Sequence, residues 1–72
     1  MRKDVFLKKL GAHIAQLREK AGFSQTELAH RCDKDRQSLN RLEKGRISPS
    51  AYYLSELANE LGVKVKDLLD FE

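Results

Sequence analysis

Side chains that bind metals or form disulfides are scarce in this chain. It has one cysteine, Cys32, and two histidines, His13 and His30, that lie far apart in the sequence. A single cysteine excludes an internal disulfide, and one cysteine with two distant histidines is a poor zinc-binding set. Catalytic motifs are missing too, because there is no glycine-rich phosphate loop, no recognisable nucleophile and no partnered pair of carboxylates. We therefore expect a binding protein without metal, cofactor or enzymatic activity.

Long hydrophobic runs are absent as well. No apolar stretch approaches the roughly 20 residues that a membrane span needs. Charges interrupt the first ten residues, MRKDVFLKKL, which are therefore unlike a signal peptide. The composition, 40% hydrophobic and 35% charged, is that of a soluble folded protein. We predict one cytoplasmic domain over residues 1–72, with a core small enough that dimerisation would help it.

Apolar residues recur at helical spacing, and no stretch alternates as a strand would. The first stripe predicts a helix over about residues 4–20 that ends at Gly22. A short helix over residues 65–71, with Leu68 and Leu69 facing inward, closes the chain. Three further helices lie between these two, and their predicted caps are Ser24 with Glu27 completing a capping box, Asp35, and Ser48 or Ser50. The predicted fold is an all-α, compact bundle of about five short helices.

Two positions in this pattern indicate special backbone geometry. Gly11 lies inside the first helix, where it costs about 1 kcal/mol relative to alanine, and it indicates close packing by a neighbour. Asp33 follows the second helix and is one of the few non-glycine residue types that tolerate a left-handed conformation. The second and third helices are then joined by a tight polar turn, within residues 24–45.

The third helix has a polar face that contains no carboxylate. On a helical wheel of about 100° per residue, this face spans roughly 140°, while Leu39 and Leu42 point the opposite way. Its members are Arg36, Gln37, Asn40, Arg41 and Lys44. An ordinary solvated face is the alternative interpretation, but such faces usually mix both signs of charge. A short exposed helix that rests on another and is rich in cations and amides suits the reading of DNA base edges.

Charge is distributed unevenly along the chain. Residues 1–50 carry 12 Lys and Arg against 6 Asp and Glu, a net charge of +6, whereas residues 51–72 carry 2 against 5, a net charge of −3. A polyanion would be attracted to the first part and repelled by the second.

Three segments together resemble the lambda-repressor and Cro-like helix-turn-helix family, also called the XRE family. They are LREKAGFSQTELA at residues 17–29, RQSLNRLEKGR at residues 36–46, and the spaced Pro, Leu and Gly positions of residues 49–69. The resemblance covers residues 7–69. It implies a helix-turn-helix at about residues 24–45, binding to double-stranded DNA, and a regulator such as a phage repressor or a restriction-modification controller.

The resemblance implies a set of base-reading residues in the third helix. Arg36 and Gln37 match base-reading positions, since Arg pairs with guanine and Gln with adenine, at about 1–3 kcal/mol of discrimination each. Asn40 and Arg41 lie one turn further on. Asn40 could equally hold a water or a phosphate, and Arg41 is also a candidate phosphate clamp.

Contacts to the DNA backbone and one internal ion pair complete the implied site. Gln25, Lys44 and Arg46 match phosphate-contacting positions. Ser38 lies toward the flank of the second helix, where packing or a phosphate contact is expected as much as base readout. Arg18 and Glu43 match a pair that forms a partly buried salt bridge in some family members, and an unpaired carboxylate at the edge of the core would be costly.

The acidic end of the chain carries more apolar surface than a short helix can bury within its own domain. Its apolar residues are Val63, Val65, Leu68, Leu69 and Phe71. We predict that part of this set, within a dimerisation region at about residues 51–72, forms a two-fold interface. A dimer would place two reading helices about 34 Å apart on a palindromic operator.

The predicted function is therefore a homodimeric, sequence-specific DNA-binding transcription regulator. Two alternatives remain open at the sequence level. One is an antitoxin, which would bind DNA and also a toxin protein as its partner. The other is a helical protein-interaction module without DNA binding, which a steep loss of DNA affinity with rising salt would argue against.

Overall fold

Five α-helices and no strand make up the computed structural model, which describes residues 1–72. They are α1 (Lys3–Lys20), α2 (Gln25–Arg31), α3 (Arg36–Glu43), α4 (Ala51–Leu61) and α5 (Val65–Leu68). The all-α prediction is confirmed. None of these helices has the length and apolar character needed to cross a membrane.

Local side-chain chemistry sets the ends of the helices. Ser24 Oγ accepts a hydrogen bond from the backbone N–H of Glu27, and Glu27 Oε1 accepts one from the N–H of Ser24, both at 3.1 Å. This is the predicted capping box. Ser50, rather than Ser48, caps α4, since its hydroxyl accepts from the N–H of Tyr53 at 3.0 Å.

The turn between α2 and α3 has the predicted backbone. Asp33 has φ +57°, in the left-handed region, and the N–H of Lys34 returns to the carbonyl of Ala29 at 2.8 Å. Asp35 then caps α3 by accepting from the N–H of Ser38 at 2.7 Å. The two helices therefore follow each other with only residues 32–35 between them.

One core holds all five helices together, because α3 packs between α1 and α2, α4 packs on α2, and α5 closes on α1. No charged side chain is buried in it. Full burial of each large aliphatic side chain contributes roughly 1.5–3 kcal/mol. The buried residues are Leu10, Ile14, Leu28, Ala29, Cys32, Leu39, Leu42, Tyr53, Leu57, Ala58 and Leu68.

The backbones of α1 and α3 are in direct contact at Gly11. A Cβ atom on Gly11 would collide with the carbonyl oxygen of Leu42 and would lie 2.6 Å from that of Glu43. The predicted close packing at Gly11 is therefore present. It lets the last turn of α3 lie directly against the backbone of α1.

The end of the chain differs from the prediction in two ways. Helix α5 is only one turn long, and Leu68 is fully buried whereas Leu69 is 43% exposed. The prediction that Leu69 faces inward is wrong, because neighbouring residues point about 100° apart and a single turn can direct only one of them into the core. Leu68 is wrong as a dimer contact, since its own chain already buries it completely.

Candidate nucleic-acid interface

The polar face of α3 lies on the surface of the protein. Arg36, Gln37, Arg41 and Lys44 are exposed, and Asn40 is half-buried on the same side. The two leucines of the helix lie beneath in the core. None of the three cations on this face takes part in an ion pair. The face therefore presents uncompensated positive charge and the free amide group of Gln37.

Arg18 and Glu43 form a two-point ion pair between α1 and the last residue of α3. Arg18 Nε donates to Glu43 Oε2 at 2.7 Å, and its Nη2 donates to Oε1 at 3.1 Å. The side chains are only 12% and 6% exposed. The bond to Glu43 raises the pKa of Arg18 above its usual value. Arg18 also donates to the carbonyl of Phe23 at 2.8 Å, which extends the link to the start of α2.

Gln25 is joined to the same carboxylate, a connection that the sequence reading missed. Its Nε2 donates to Glu43 Oε1 at 2.8 Å, and its Oε1 accepts from Asn40 Nδ2 at 3.4 Å. The side chain that was predicted to meet a phosphate is thus occupied inside the protein. No periodicity in the sequence signals this contact, since it depends on how α2 crosses α3. A phosphate contact through the backbone N–H of Gln25 stays a prediction.

Two exposed cations lie where α3 ends and the next loop begins. Gly45 has φ +74° and ends the helix, and the N–H of Arg46 bonds to the carbonyl of Arg41 at 2.9 Å. Lys44 and Arg46 are both exposed. Ser38 is half-buried in the first turn of α3. The structure thus keeps the cations that were predicted to contact the DNA backbone next to the polar face of α3.

A second exposed surface is apolar and lies at the ends of the chain. Val65 is 37% exposed, close to the value for Leu69, and Phe6 of α1 is 38% exposed. The Phe6 ring packs on Phe71 with 5.4 Å between centroids. Val63 and Phe71 are partly buried against the core. Phe6 belongs to the apolar stripe of α1 and also takes part in this surface.

The helix-turn-helix arrangement and the polar face of α3 together define a DNA-binding regulator of the XRE type. A sequence profile described as "Helix-turn-helix" matches residues 14–68. The chain belongs to this family, which confirms the resemblance found in the sequence.

Similar proteins point the same way. The uncharacterized HTH-type transcriptional regulator y4dJ of Sinorhizobium fredii is 39% identical over 62 residues, covering 86% of this chain and 80% of the relative. The control protein C.BamHI of Bacillus amyloliquefaciens is 37% identical, covering 85% of this chain and 76% of the relative. The crystal structure of the restriction-modification controller protein C.AhdI from Aeromonas hydrophila has a TM-score of 0.89 at 28% identity, covering 94% of this chain and 99% of that one. The protein is a transcription regulator with a helix-turn-helix DNA-binding domain.

Proposed function

We propose that this protein binds a palindromic operator as a homodimer, with α3 of each subunit in the major groove. The observation that carries the proposal is the exposed face of α3, which contains no carboxylate, while Glu43, the acid that ends the helix, is bonded inward to Arg18. Because the carboxylate of Glu43 is paired with Arg18, no unpaired carboxylate within α3 opposes the binding of phosphates. The major groove admits an α-helix and distinguishes all four base pairs.

Arg36 and Gln37 are the main base readers in this proposal. Both are exposed in the first turn of α3, and neither side chain has a hydrogen-bond partner within the protein. Free donors and acceptors at the start of a recognition helix can meet base edges. Asn40, held by Gln25 from behind, is a third reader, and Arg41 contacts a base or a phosphate.

The phosphate contacts come from both sides of α3 in this proposal. Lys44 and Arg46 bind the DNA backbone from the end of α3 and the loop that follows it. Ser38, in the first turn of α3, and the backbone N–H of Gln25, at the start of α2, bind it as well. Charged contacts of this kind position the protein but carry no sequence information.

Dimerisation is supported by the apolar surface near the end of the chain. Val65 and Leu69 are large and exposed, and Val63 and Phe71 border them. A two-fold contact on this patch would bury it in both subunits at once. We place the dimer interface on these four residues, without Leu68.

The test is selection of bound sites from a random DNA pool, followed by titration of the selected duplex. We expect a palindrome with half-sites about one helical turn apart and two subunits for each duplex. Arg36→Ala should lose selectivity at one base pair of each half-site, at about 1–3 kcal/mol. Arg31→Ala is the matched control, because Arg31 is an exposed arginine of α2 that pairs with Glu60 instead.

Two results would contradict the proposal. If Arg36→Ala selected the same sequences with the same affinity as the wild type, α3 would not be the reading helix. If one subunit saturated each duplex, the dimer and the palindrome would be wrong.

A further inference from the structure

The first helix is locked against the loop that follows the recognition helix. A Cβ atom on Gly45 would lie 2.7 Å from the Cα and 2.9 Å from the Cγ of Lys8. Only a glycine fits there, and the stem of the Lys8 side chain passes directly over it. Three residues further along α1, the backbone of Gly11 lies equally close to backbone atoms in the last turn of α3. The position of Lys8 is therefore set by backbone packing on both sides.

This contact gathers three cations from two distant segments of the chain. Lys44 and Arg46 flank Gly45, and Lys8 lies across it. All three side chains are exposed, and none of them forms an ion pair. Positive charges that gather without partners repel each other unless an anion lies between or beside them.

The carboxylates close to this cluster are already engaged. Glu43, next to Lys44, is bonded to Arg18 and nearly buried. Asp4, one turn before Lys8 on α1, pairs with Arg2 at 2.8 Å on the protein surface, and its carboxylate also interacts with the charge of Lys8. None of the three cations has an ion-pair partner of its own, and the exposed carboxylate of Asp4, which is shared with Arg2, offsets the charge of Lys8 only in part. The cluster lies at the edge of the surface that faces DNA in the proposed function.

We propose that Lys8 binds a DNA phosphate together with Lys44 and Arg46, so that α1 contributes a backbone contact from outside the helix-turn-helix. This inference rests on the proposed function and extends its DNA-binding surface to the first helix. The contact is insensitive to base sequence, because it is made to the phosphate alone. Gly45 serves it by letting the lysine stem lie against the loop.

The test is the salt dependence of binding to a fluorescein-labelled duplex of about 25 base pairs that carries the selected palindrome. The logarithm of the binding constant falls with the logarithm of salt concentration, with a slope of about −0.9 for each phosphate neutralised. Lys8→Gln should make the slope shallower by about 0.9 for each subunit bound. Lys8→Arg should keep the wild-type slope.

Lys9→Gln is the matched control for this experiment. It removes the same charge from the same turn of α1, but Lys9 lies about 160° around the helix from Gly11, against about 60° for Lys8. Its slope should equal that of the wild type. Urea unfolding of each variant shows whether the substituted protein is as stable as the wild type.

Three results would overturn the inference while leaving the proposed function intact. Lys8→Gln could keep the wild-type slope, it could change the slope no more than Lys9→Gln does, or it could lower only the unfolding free energy. The last result would mean that Lys8 serves the carbonyl end of α3. A wild-type protein that binds the duplex without salt dependence would instead overturn the proposed function and this inference together.

Discussion

Gln25, the first residue of α2, donates its side-chain amide to Glu43, the last residue of α3, at 2.8 Å. Arg18 of α1 bonds to both oxygens of the same carboxylate. Three helices thus meet at one nearly buried acid. The angle at which α3 is presented to a ligand depends on this junction as well as on the leucines beneath it.

Glu43→Gln should lower the free energy of unfolding. The substitution leaves Arg18 nearly buried without a counter-charge, and removal of one partner of a buried pair costs about 3–5 kcal/mol. Urea denaturation measures the loss. Glu60→Gln is the control, because Glu60 meets the exposed Arg31 at 3.4 Å, a surface pair worth about 0–1 kcal/mol. Equal losses in the two variants would show that the junction at Glu43 is not structural.

Gln25→Ala should affect both stability and DNA selectivity. It removes a hydrogen bond to a charged group, worth about 1.5–3 kcal/mol, and frees Asn40 from its contact in the protein. We expect weaker discrimination at the base pair near Asn40 and unchanged discrimination near Arg36. Gln16→Ala, at an exposed position on α1, is the control. Binding to a set of singly substituted duplexes measures the effect, and an unchanged profile would argue against a role for Gln25 in holding Asn40.

Gly11→Ala should destabilise the protein although alanine is the better helix former. Helix propensity alone would favour the variant by about 1 kcal/mol. The new Cβ would collide with backbone carbonyls of α3, and overpacking of this kind costs typically about 1–3 kcal/mol. We expect a net loss in urea denaturation and weaker DNA binding as α3 shifts. A more stable variant would show that the two helices separate without cost.

Substitution of Leu68 should lower stability, whereas substitution of Leu69 should abolish dimerisation. Leu68→Ala leaves a cavity in the core and should cost about 2–5 kcal/mol of stability. Leu69→Ser removes exposed apolar surface, so the protein should stay folded but become monomeric. Sedimentation velocity and urea denaturation of both variants separate these effects. A Leu69→Ser protein that remained dimeric would place the interface elsewhere.

Stability should fall at alkaline pH because of two buried acids. Burial raises the pKa of Cys32 from 9.0 to about 11, and burial also raises that of Tyr53 from 10.0 to about 12. Both groups stay neutral to a higher pH in the folded state than in the unfolded state. Their contribution to the free energy of unfolding is therefore complete below pH 9 and is lost as the pH rises through the folded-state pKa. Cys32→Ala should flatten the pH dependence of the unfolding free energy between pH 9 and 11. An identical dependence in both proteins would mean that the thiol ionises freely in the native state.

Local interactions made much of this fold predictable from the sequence. The capping box joins Ser24 and Glu27, which are three residues apart, and the left-handed conformation of Asp33 is a property of a single residue. Both can therefore be predicted from the order of residues. Helical spacing likewise separates the leucines of α3 from its polar face. The pairing of Arg18 with Glu43 could be expected only through the family resemblance and the position of Glu43 at the core edge.

Tertiary structure alone decided which neighbours the polar and apolar side chains meet. The bond from Gln25 to Glu43, the burial of Leu68 instead of Leu69, and the passage of Lys8 over Gly45 all depend on how helices cross and where a one-turn helix docks. Two of these contacts join residues that are distant in the chain, and the third depends on which of two adjacent side chains points into the core. By itself the sequence determined the helices, their ends and the charge of the polar face of α3, because those follow from bonds within a few residues. The packing of α1, α2 and α3 determined how that face is held and which cations lie beside it.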